Sequence, residues 1–395
     1  MTWLTSLAAL SLLGWLYLVF AHGRFWQADQ RLDAPQLEPR RWPSVTALVP
    51  ARNEADVLEE TLGSLLSQDY PGRLRIVLID DESEDETAQV AQKCAASHAR
   101  GERLRVVRSA PRPAGWVGKM WALECGGRSE ARGEPGADYW LLTDADVRHS
   151  AGNLRRLVSK AEAERLDLVS LMVLLHGERG FDRLLVPAFV YFFQKLYPFP
   201  RINDPGSATA GAAGGCVLVS RGALERAGGI EALRGEIIDD CALGRAVKRG
   251  GSIWLGLSTT ERSIRPYGGL AGGGVWEMVA RSAYTQLHHS PWLLAGTALG
   301  LGLLYAAPPA LALLLPLHGA GAAAALAGAA WLAMAISFVP TLGLYGRSPW
   351  LGLALPLAGT LYAVMTIDSA RRHYRAKGAT WKGRPGAGSS GAAGA

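Results

Sequence analysis

With 395 residues, 41 of them basic and 35 acidic, the chain carries a formal net charge of +6 and a mean hydropathy of +0.09. That length holds one α/β domain of about 200–250 residues and leaves a large remainder. Part of the excess charge lies in a C-terminal tail with no aromatic-basic motif beside it, which points to anionic lipid rather than to a nucleic-acid partner. The four cysteines, Cys94, Cys125, Cys216 and Cys241, show no C-x-x-C spacing and argue against a zinc site or a disulfide framework.

Met1–Ala21 contains no charged residue and is long enough to cross ~30 Å of hydrocarbon at ~1.5 Å per residue. Residues 1–22 read as an anchor rather than a cleaved signal peptide, because no basic residue precedes the apolar run while Arg24, Arg31, Arg40 and Arg41 follow it. This charge order places the N-terminus outside and the next domain, residues 42–267, in the cytosol.

In that domain Ser44–Val49 alternates toward a strand that Pro50 stops. Asn53 is a helix N-cap for the apolar set Val57, Leu58, Leu62, Leu65 and Leu66. Leu74–Ile79 is a second strand ending in Asp80-Asp81, Asp85–Ala96 is helix-like, and Leu104–Val107 is a third strand. A helix-like piece around Met120–Cys125 leads to the apolar run Tyr139–Leu142, which opens into Thr143-Asp144-Ala145-Asp146. Strands and helices alternating at this spacing predict a doubly wound, mostly parallel sheet with right-handed crossovers. The C-terminal edges of its strands line up, so ARNE at 51–54, DDESEDET at 80–87 and TDAD at 143–146 converge on one crevice.

A lone D-x-D is as well explained by a solvated acidic turn, but at a strand exit its two carboxylates suit a hard Mg2+ or Mn2+ ion bridging to a diphosphate. Asp80 or Asp81 is placed for a ribose hydroxyl or a base N–H, or else for a helix start. Lys119, between Gly115 and Gly118 on one side and an apolar run on the other, is a flexible charge able to reach phosphate, or a solvated loop lysine. Further on, Gly214 and Gly215 lie in a small-residue loop before a strand, where an acceptor substrate or another backbone can approach closely. Asp239 and Asp240 precede a helix with Leu243 and Val247 facing the core, and capping alone explains one of the two acids.

Residues 273–290 are amphipathic and read as either an interfacial or an ordinary packing helix. Three apolar stretches come next within 291–368, at roughly 292–316, 320–340 and 349–367. The basic tail, 369–395, carries Arg371, Arg372, Arg375, Lys377, Lys382 and Arg384 without an acid, and from Gly383 it is rich in Gly, Ala and Ser, a composition expected to be disordered. Three crossings from a cytosolic domain would put this tail outside, against the positive-inside rule. Either one stretch is re-entrant or interfacial, or Pro308-Pro309 splits the first in two.

Together these motifs resemble a family-2 glycosyltransferase of the GT-A fold over residues about 44–266. The likeness rests on VPARNE (49–54), the DD-x-S-x-D-x-T pattern of 80–87, the D-x-D of Asp144 and Asp146, and the acidic pair followed by x-x-L at Asp239-Asp240 and Leu243. With the N-terminal anchor, the apolar C-terminal third and WKGR at 381–384, the whole chain more closely resembles the bacterial hopene-associated glycosyltransferases. The resemblance implies an α/β, Rossmann-like GT-A domain with transmembrane helices at both ends, a nucleotide-sugar donor, Mg2+ or Mn2+, and a lipid acceptor such as a hopanoid at the bacterial inner membrane.

Carried over by position, the likeness assigns Pro50, Ala51, Arg52, Glu54, Asp80 and Asp81 to the nucleotide. Asp146 becomes the main metal ligand with Asp144 beside it on ribose or metal, and Asp240, next to Asp239, the general base. Lys119 sits in the family's G-K-x-x-A-L pattern, although Glu124 stands where asparagine is common. The acidic pair is Asp-Asp where Glu-Asp is usual. The Q-x-x-R-W signature of processive synthases is absent, its nearest counterparts being Met278, Arg281 and Ser282, which speaks against polymer synthesis. A polyprenyl-phosphate acceptor and a sugar-nucleotide-binding module without transfer activity are the other readings.

Overall fold

A computed structural model describes residues 3–32, 37–131, 136–178, 180–265 and 274–375, with the backbone of 380–381 and 384–385. In chain order α1 (Trp3–Phe20) is followed by β1 (Val45–Ala51), α2 (Ala55–Leu66), β2 (Leu74–Asp80), α3 (Thr87–Ser97), β3 (Leu104–Arg108) and α4 (Gly118–Ala131). Next come β4 (Tyr139–Thr143), β5 (Val147–Arg148), α5 (Asn153–Glu164), β6 (Leu168–Leu174), α6 (Asp182–Leu196) and α7 (Phe199–Ile202). Then β7 (Cys216–Ser220), α8 (Arg221–Arg226), α9 (Asp239–Lys248) and β8 (Ile253–Ser263) complete the sheet. The C-terminal part holds α10 (Val275–Gln286), α11 (Pro291–Leu301), α12 (Ala307–Leu313), α13 (Leu315–His318), α14 (Gly321–Leu344), α15 (Leu355–Tyr374) and a two-residue pair, β9 (Thr380–Trp381) with β10 (Arg384–Pro385).

The chain divides into two compact units. One, Gln30–His176 with Arg201–Arg265 and Gly378–Ala395, carries an eight-stranded sheet in the order β3-β2-β1-β4-β7-β6-β8-β5. Strands β3, β2, β1 and β4 are parallel neighbours, as their intervening helices require. Strand β7 is inserted antiparallel between β4 and β6, a reversal that period-2 patterning cannot reveal because alternation is blind to strand direction. A bridge from Arg31 to Leu257 brings residues before position 42 into this unit. Its core is aliphatic, with Leu58, Leu62, Leu65 and Leu66 of α2 packed on Ala47, Val49, Ile76 and Leu78 of the sheet.

Pro50 lies inside β1 rather than ending it. The ladder to β4 stops at Leu48, so the N–H that proline lacks falls beyond the doubly paired part of the strand. Asn53 does not cap α2. It takes a left-handed φ of 51°, and the helix-start amides are capped across the crevice: Asn53 N–H donates to Ser83 Oγ (3.1 Å), Glu54 N–H to Thr87 Oγ1 (2.8 Å) and Ala55 N–H to Asp85 Oδ2 (3.1 Å).

The second unit comprises Met1–Asp29, Gly177–Pro200 and Pro266–Lys377, so α6 groups with the terminal helices although it falls within 42–267. Residues 266–273 and 386–395, which include the start of the amphipathic stretch and most of the Gly/Ala/Ser-rich tail, lie outside the described residues. Four helical stretches are long and apolar enough to cross a membrane: Trp3–Phe20, Pro291–Leu313, Gly321–Leu344 and Pro349–Tyr374. Pro308-Pro309 does not split the second. The helix widens into a π-helical turn over Gly302–Ala306 and continues as α12 with the prolines in its first turn. Proline at 308 and 309 removes the backbone donors four and five residues beyond Leu304, and the Trp15 indole N–H donates to that carbonyl instead at 2.8 Å.

Candidate active site

The register of β1 against β2 sets Ala51 opposite Asp80, and that of β1 against β4 sets Leu48 opposite Leu142, so the three motif-bearing strand ends open at one edge. Pro50, Lys119, Thr143, Gly214, Asp239 and Asp240 line one small cavity there. Its floor is apolar, from Met120, Leu142 and Val217.

Lys119 is the hub. It lies in the first turn of α4 rather than in a loop, and its Nζ is 2.8 Å from Asp144 Oδ1 and 3.4 Å from Asp239 Oδ2. Burial would lower its pKa, but the carboxylates of Asp144, Asp239 and Asp240 outweigh this and raise it, so the ammonium stays charged. Asp240, in the first turn of α9, accepts hydrogen bonds from Gly214 N–H through Oδ2 (2.9 Å) and from Cys241 N–H through Oδ1 (2.7 Å). Burial first, then the charge of Asp239, push its pKa up to about 6, while Lys119 and the two amides hold it from rising further. A carboxylate tuned toward neutrality in a cleft is suited to take a proton from a substrate.

Asp146 accepts a hydrogen bond from Ser263 Oγ at 2.7 Å, and Arg265 Nε lies 3.8 Å from the same oxygen. Arg265 also pairs with Glu54. Sequence reasoning missed Arg265, whose signal was only a lone arginine just beyond the last strand. Among the described residues no group of three His, Cys, Asp or Glu side chains is set to hold a metal ion. The two D-x-D carboxylates are nevertheless hard oxygen donors at a strand exit, and Mg2+ commonly takes one or two carboxylates and completes its shell with substrate phosphate and water. The site therefore fits a cation shared with a diphosphate rather than caged by the chain.

Arg52 is committed to the protein itself. Its guanidinium donates to the carbonyls of Asp81 (2.8 Å) and Glu82 (2.7 Å) and pairs with Glu84 at 3.0 Å, tying the end of β1 to the loop after β2. Asp80 accepts from Ser83 N–H at 3.0 Å, and Asp81 from Ser109 Oγ at 2.9 Å. Gly214 faces the site: a Cβ there would lie 3.3 Å from Lys119 Nζ and 3.4 Å from Asp240 Oδ2. Gly215 faces away, where a Cβ would meet Val173 at 2.9 Å, so its small size serves close packing of the sheet.

A buried relay fixes the D-x-D loop. Thr143 Oγ1 donates to the Gly215 carbonyl (2.8 Å) and lies 2.9 Å from His149 Nε2, while Asn153 Nδ2 lies 2.9 Å from His149 Nδ1. With Nδ1 accepting from the amide, Nε2 carries the proton and donates to Thr143. Burial pushes the His149 pKa down to about 4, keeping the ring neutral. His149 and Asn153 escaped the sequence reading because a histidine and an asparagine four residues apart carry no motif.

Residues 46–228 match the family model described as Glycosyl transferase family 2. An N-acetylglucosaminyltransferase of Rhizobium leguminosarum bv. viciae is 40% identical over 105 residues, which is 25% of this chain and 24% of that protein. Another N-acetylglucosaminyltransferase, of Rhizobium meliloti (strain 1021), is 30% identical over 162 residues, 40% of this chain and 35% of that protein. The chain thus spans well under half the length of these relatives. A mannosyltransferase from Pyrobaculum calidifontis, solved in complex with GDP-Man and Mn2+, superposes with a TM-score of 0.52 at 20% identity, covering 93% of this chain and 99% of that one. The fold is GT-A. In the GT-A sheet the parallel half carries the crevice and β7 delivers Gly214 to its rim, and the family match with its transferase relatives supports an enzyme of the glycosyltransferase class.

Proposed function

We propose that the protein is a membrane-bound inverting glycosyltransferase that moves a sugar from a nucleotide-sugar donor to a lipid hydroxyl. The observation that carries this reading is Asp240, held by two backbone amides in the same cavity as Pro50, Lys119 and Thr143, with a pKa of about 6. The acceptor oxygen attacks the anomeric carbon as its proton passes to the Asp240 carboxylate. The bond from that carbon to the diphosphate oxygen breaks on the opposite face, so one displacement inverts the configuration. Lys119, kept charged by Asp144 and Asp239, supplies a fixed positive charge beside the departing diphosphate. Asp146, with Asp144 beside it, would hold the Mg2+ or Mn2+ ion, whose role is to offset negative charge on the leaving group.

Asp80 and Asp81 are assigned to the ribose and base of the donor, and Pro50, Ala51, Arg52 and Glu54 to the walls around it. Arg52 acts there by shaping the loop rather than by touching phosphate. N-Acetylglucosamine is the first sugar to test, because the Rhizobium relatives are N-acetylglucosaminyltransferases. The four apolar stretches support an acceptor delivered from a bilayer, at the bacterial cytoplasmic membrane, and the resemblance to hopene-associated enzymes makes a hopanoid the acceptor class to try first.

The test is transfer of label from a panel of radiolabelled sugar nucleotides, with Mn2+ or Mg2+, into extracted membrane lipid. Labelled lipid that disappears in Asp146→Ala is the expected result. Donor binding without labelling of any lipid would overturn the transferase reading.

A further inference from the structure

Four crossings would leave the basic end of the chain on the face where α1 begins. We propose that the fourth apolar stretch does not cross: residues 345–374 form a re-entrant hairpin that returns the basic end to the face where α1 ends, leaving three crossings. This rests on the protein being membrane-bound, and the helical unit by itself supplies the geometry.

The directions of the first three stretches are fixed by side-chain contacts. Trp15 meets Leu304 and Ala8 packs with Leu311, so α1 and the α11–α12 stretch run antiparallel. Ala8 also packs with Ala323 and Ala327 at the start of α14, while Phe25, just past α1, meets Tyr191 edge-to-face, and Tyr191 in turn meets Phe338 edge-to-face near the end of α14. Helix α14 therefore runs with α1 and ends at the face where α1 ends.

Immediately beyond α14 the chain turns back. Gly346 takes a φ of 60°, and Arg347 N–H donates to the Leu342 carbonyl at 2.9 Å. Gly352 then lies against Ala335, where an added Cβ would be 2.6 Å from the Ala335 carbonyl oxygen, and Trp331 Nε1 donates to the Leu353 carbonyl at 3.0 Å. As the numbers rise from 347 to 353 their partners fall from 342 to 331, so this limb descends antiparallel to α14. Trp331 is the eleventh residue of the 24-residue helix, so the limb goes no deeper than about the middle.

From there α15 climbs back. Gly359 packs on Tyr305, whose ring is 5.4 Å from that of Trp15 at mid-depth. Farther along, Trp276 Nε1 donates to Asp368 (3.0 Å), Tyr284 N–H donates to Ser369 Oγ (3.0 Å), Arg372 pairs with Glu277 (2.6 Å), and the His289 and His373 rings stack at 4.3 Å. All of these partners lie on α10 or between it and Ser290, the N-cap of α11. The end of α15 is therefore level with the start of α11.

A mid-depth turn is compatible with a bilayer because part of its backbone is paired within the protein: the Leu353 carbonyl accepts from the Trp331 indole, and buried Gly352 lies against Ala335. The hairpin also removes the conflict between stretch count and charge. Arg24, Arg281, Arg371 and Arg375, all exposed, then gather on one face, an interaction surface for anionic lipid headgroups.

The test uses full-length protein in its membrane with single substitutions Arg24→Cys, Leu317→Cys or Arg375→Cys, treated with a membrane-impermeant maleimide on intact cells and on inverted vesicles, the parent protein serving as background. Label at positions 24 and 375 from one side and at 317 from the other is expected. Label at 375 from the side of 317 overturns the hairpin. If the protein is released by alkaline carbonate and all three positions label from both sides, the membrane reading itself fails. Independently of labelling, a short bifunctional thiol reagent should link His289→Cys to His373→Cys within one chain, and absence of that link while each single variant reacts would also sink the proposal.

Discussion

The two units bury polar groups in opposite ways. In the sheet unit a charged or titratable cluster gathers at the crevice edge: Lys119 among Asp144, Asp239 and Asp240, Arg265 between Glu54 and Asp146, and neutral His149 beneath Thr143. In the helical unit most are uncharged and bridge helices singly, as with Tyr191 to Ser337 (2.7 Å), Tyr362 to the Leu185 carbonyl (2.9 Å) and Trp15 to the Leu304 carbonyl (2.8 Å). Meanwhile large apolar side chains such as Trp3, Phe20, Leu299 and Trp350 are exposed there. The difference teaches what each surrounding permits. A crevice open to water and substrate can keep a cluster of charges solvated or paired, whereas apolar surroundings require each donor and acceptor to be matched inside the protein.

The sharpest test of the sheet unit's charge cluster is Asp240→Asn. Turnover should fall by roughly 10²- to 10⁴-fold with donor affinity retained. In the parent enzyme kcat/KM should rise with pH through about 6, because the raised pKa leaves Asp240 protonated, and so unable to accept a proton, below that value. The acid limb should vanish in the variant. Loss of donor binding with unchanged turnover of bound donor would remove Asp240 from its assigned role.

For the helical unit, Trp15→Phe keeps a ring beside Tyr305 but withdraws the donor that stands in for the missing proline N–H groups. A loss of about 2–3 kcal/mol is expected in detergent-solubilised protein, read by denaturant unfolding, near the top of the range for stranding one buried polar group. A neutral result would mean that water reaches Leu304 and would erase the contrast between the units. Thr143→Val removes both the donor to Gly215 and the acceptor of His149 while preserving shape. It should cost about 1–2 kcal/mol by the same measurement, and activity should fall as the D-x-D loop loosens. At the small end, Glu225→Gln breaks only the exposed i,i+4 pair with Arg221 and should shift stability by about 0.3 kcal/mol, less at high salt.

Much of this was legible from residue order. The order of the motif-bearing strands, the apolar faces of α2 and α9, and the four apolar stretches appear where periodicity and composition place them, because each is local and repeats within a few residues. The capping of α2 was not legible, since its acceptors come from Ser83, Asp85 and Thr87, some thirty residues on, rather than from Asn53.

By itself the sequence determined that a doubly wound sheet with acids at its strand ends sits among stretches apolar enough for a membrane. Only the tertiary structure decided that β7 runs antiparallel, that Lys119 reaches both Asp144 and Asp239, that α6 joins the terminal helices, and that α15 ends level with the start of α11. The physical reason is that apolar periodicity records what surrounds a segment but not its direction. Ion pairs spanning over a hundred residues exist only once strand register has brought their backbones together.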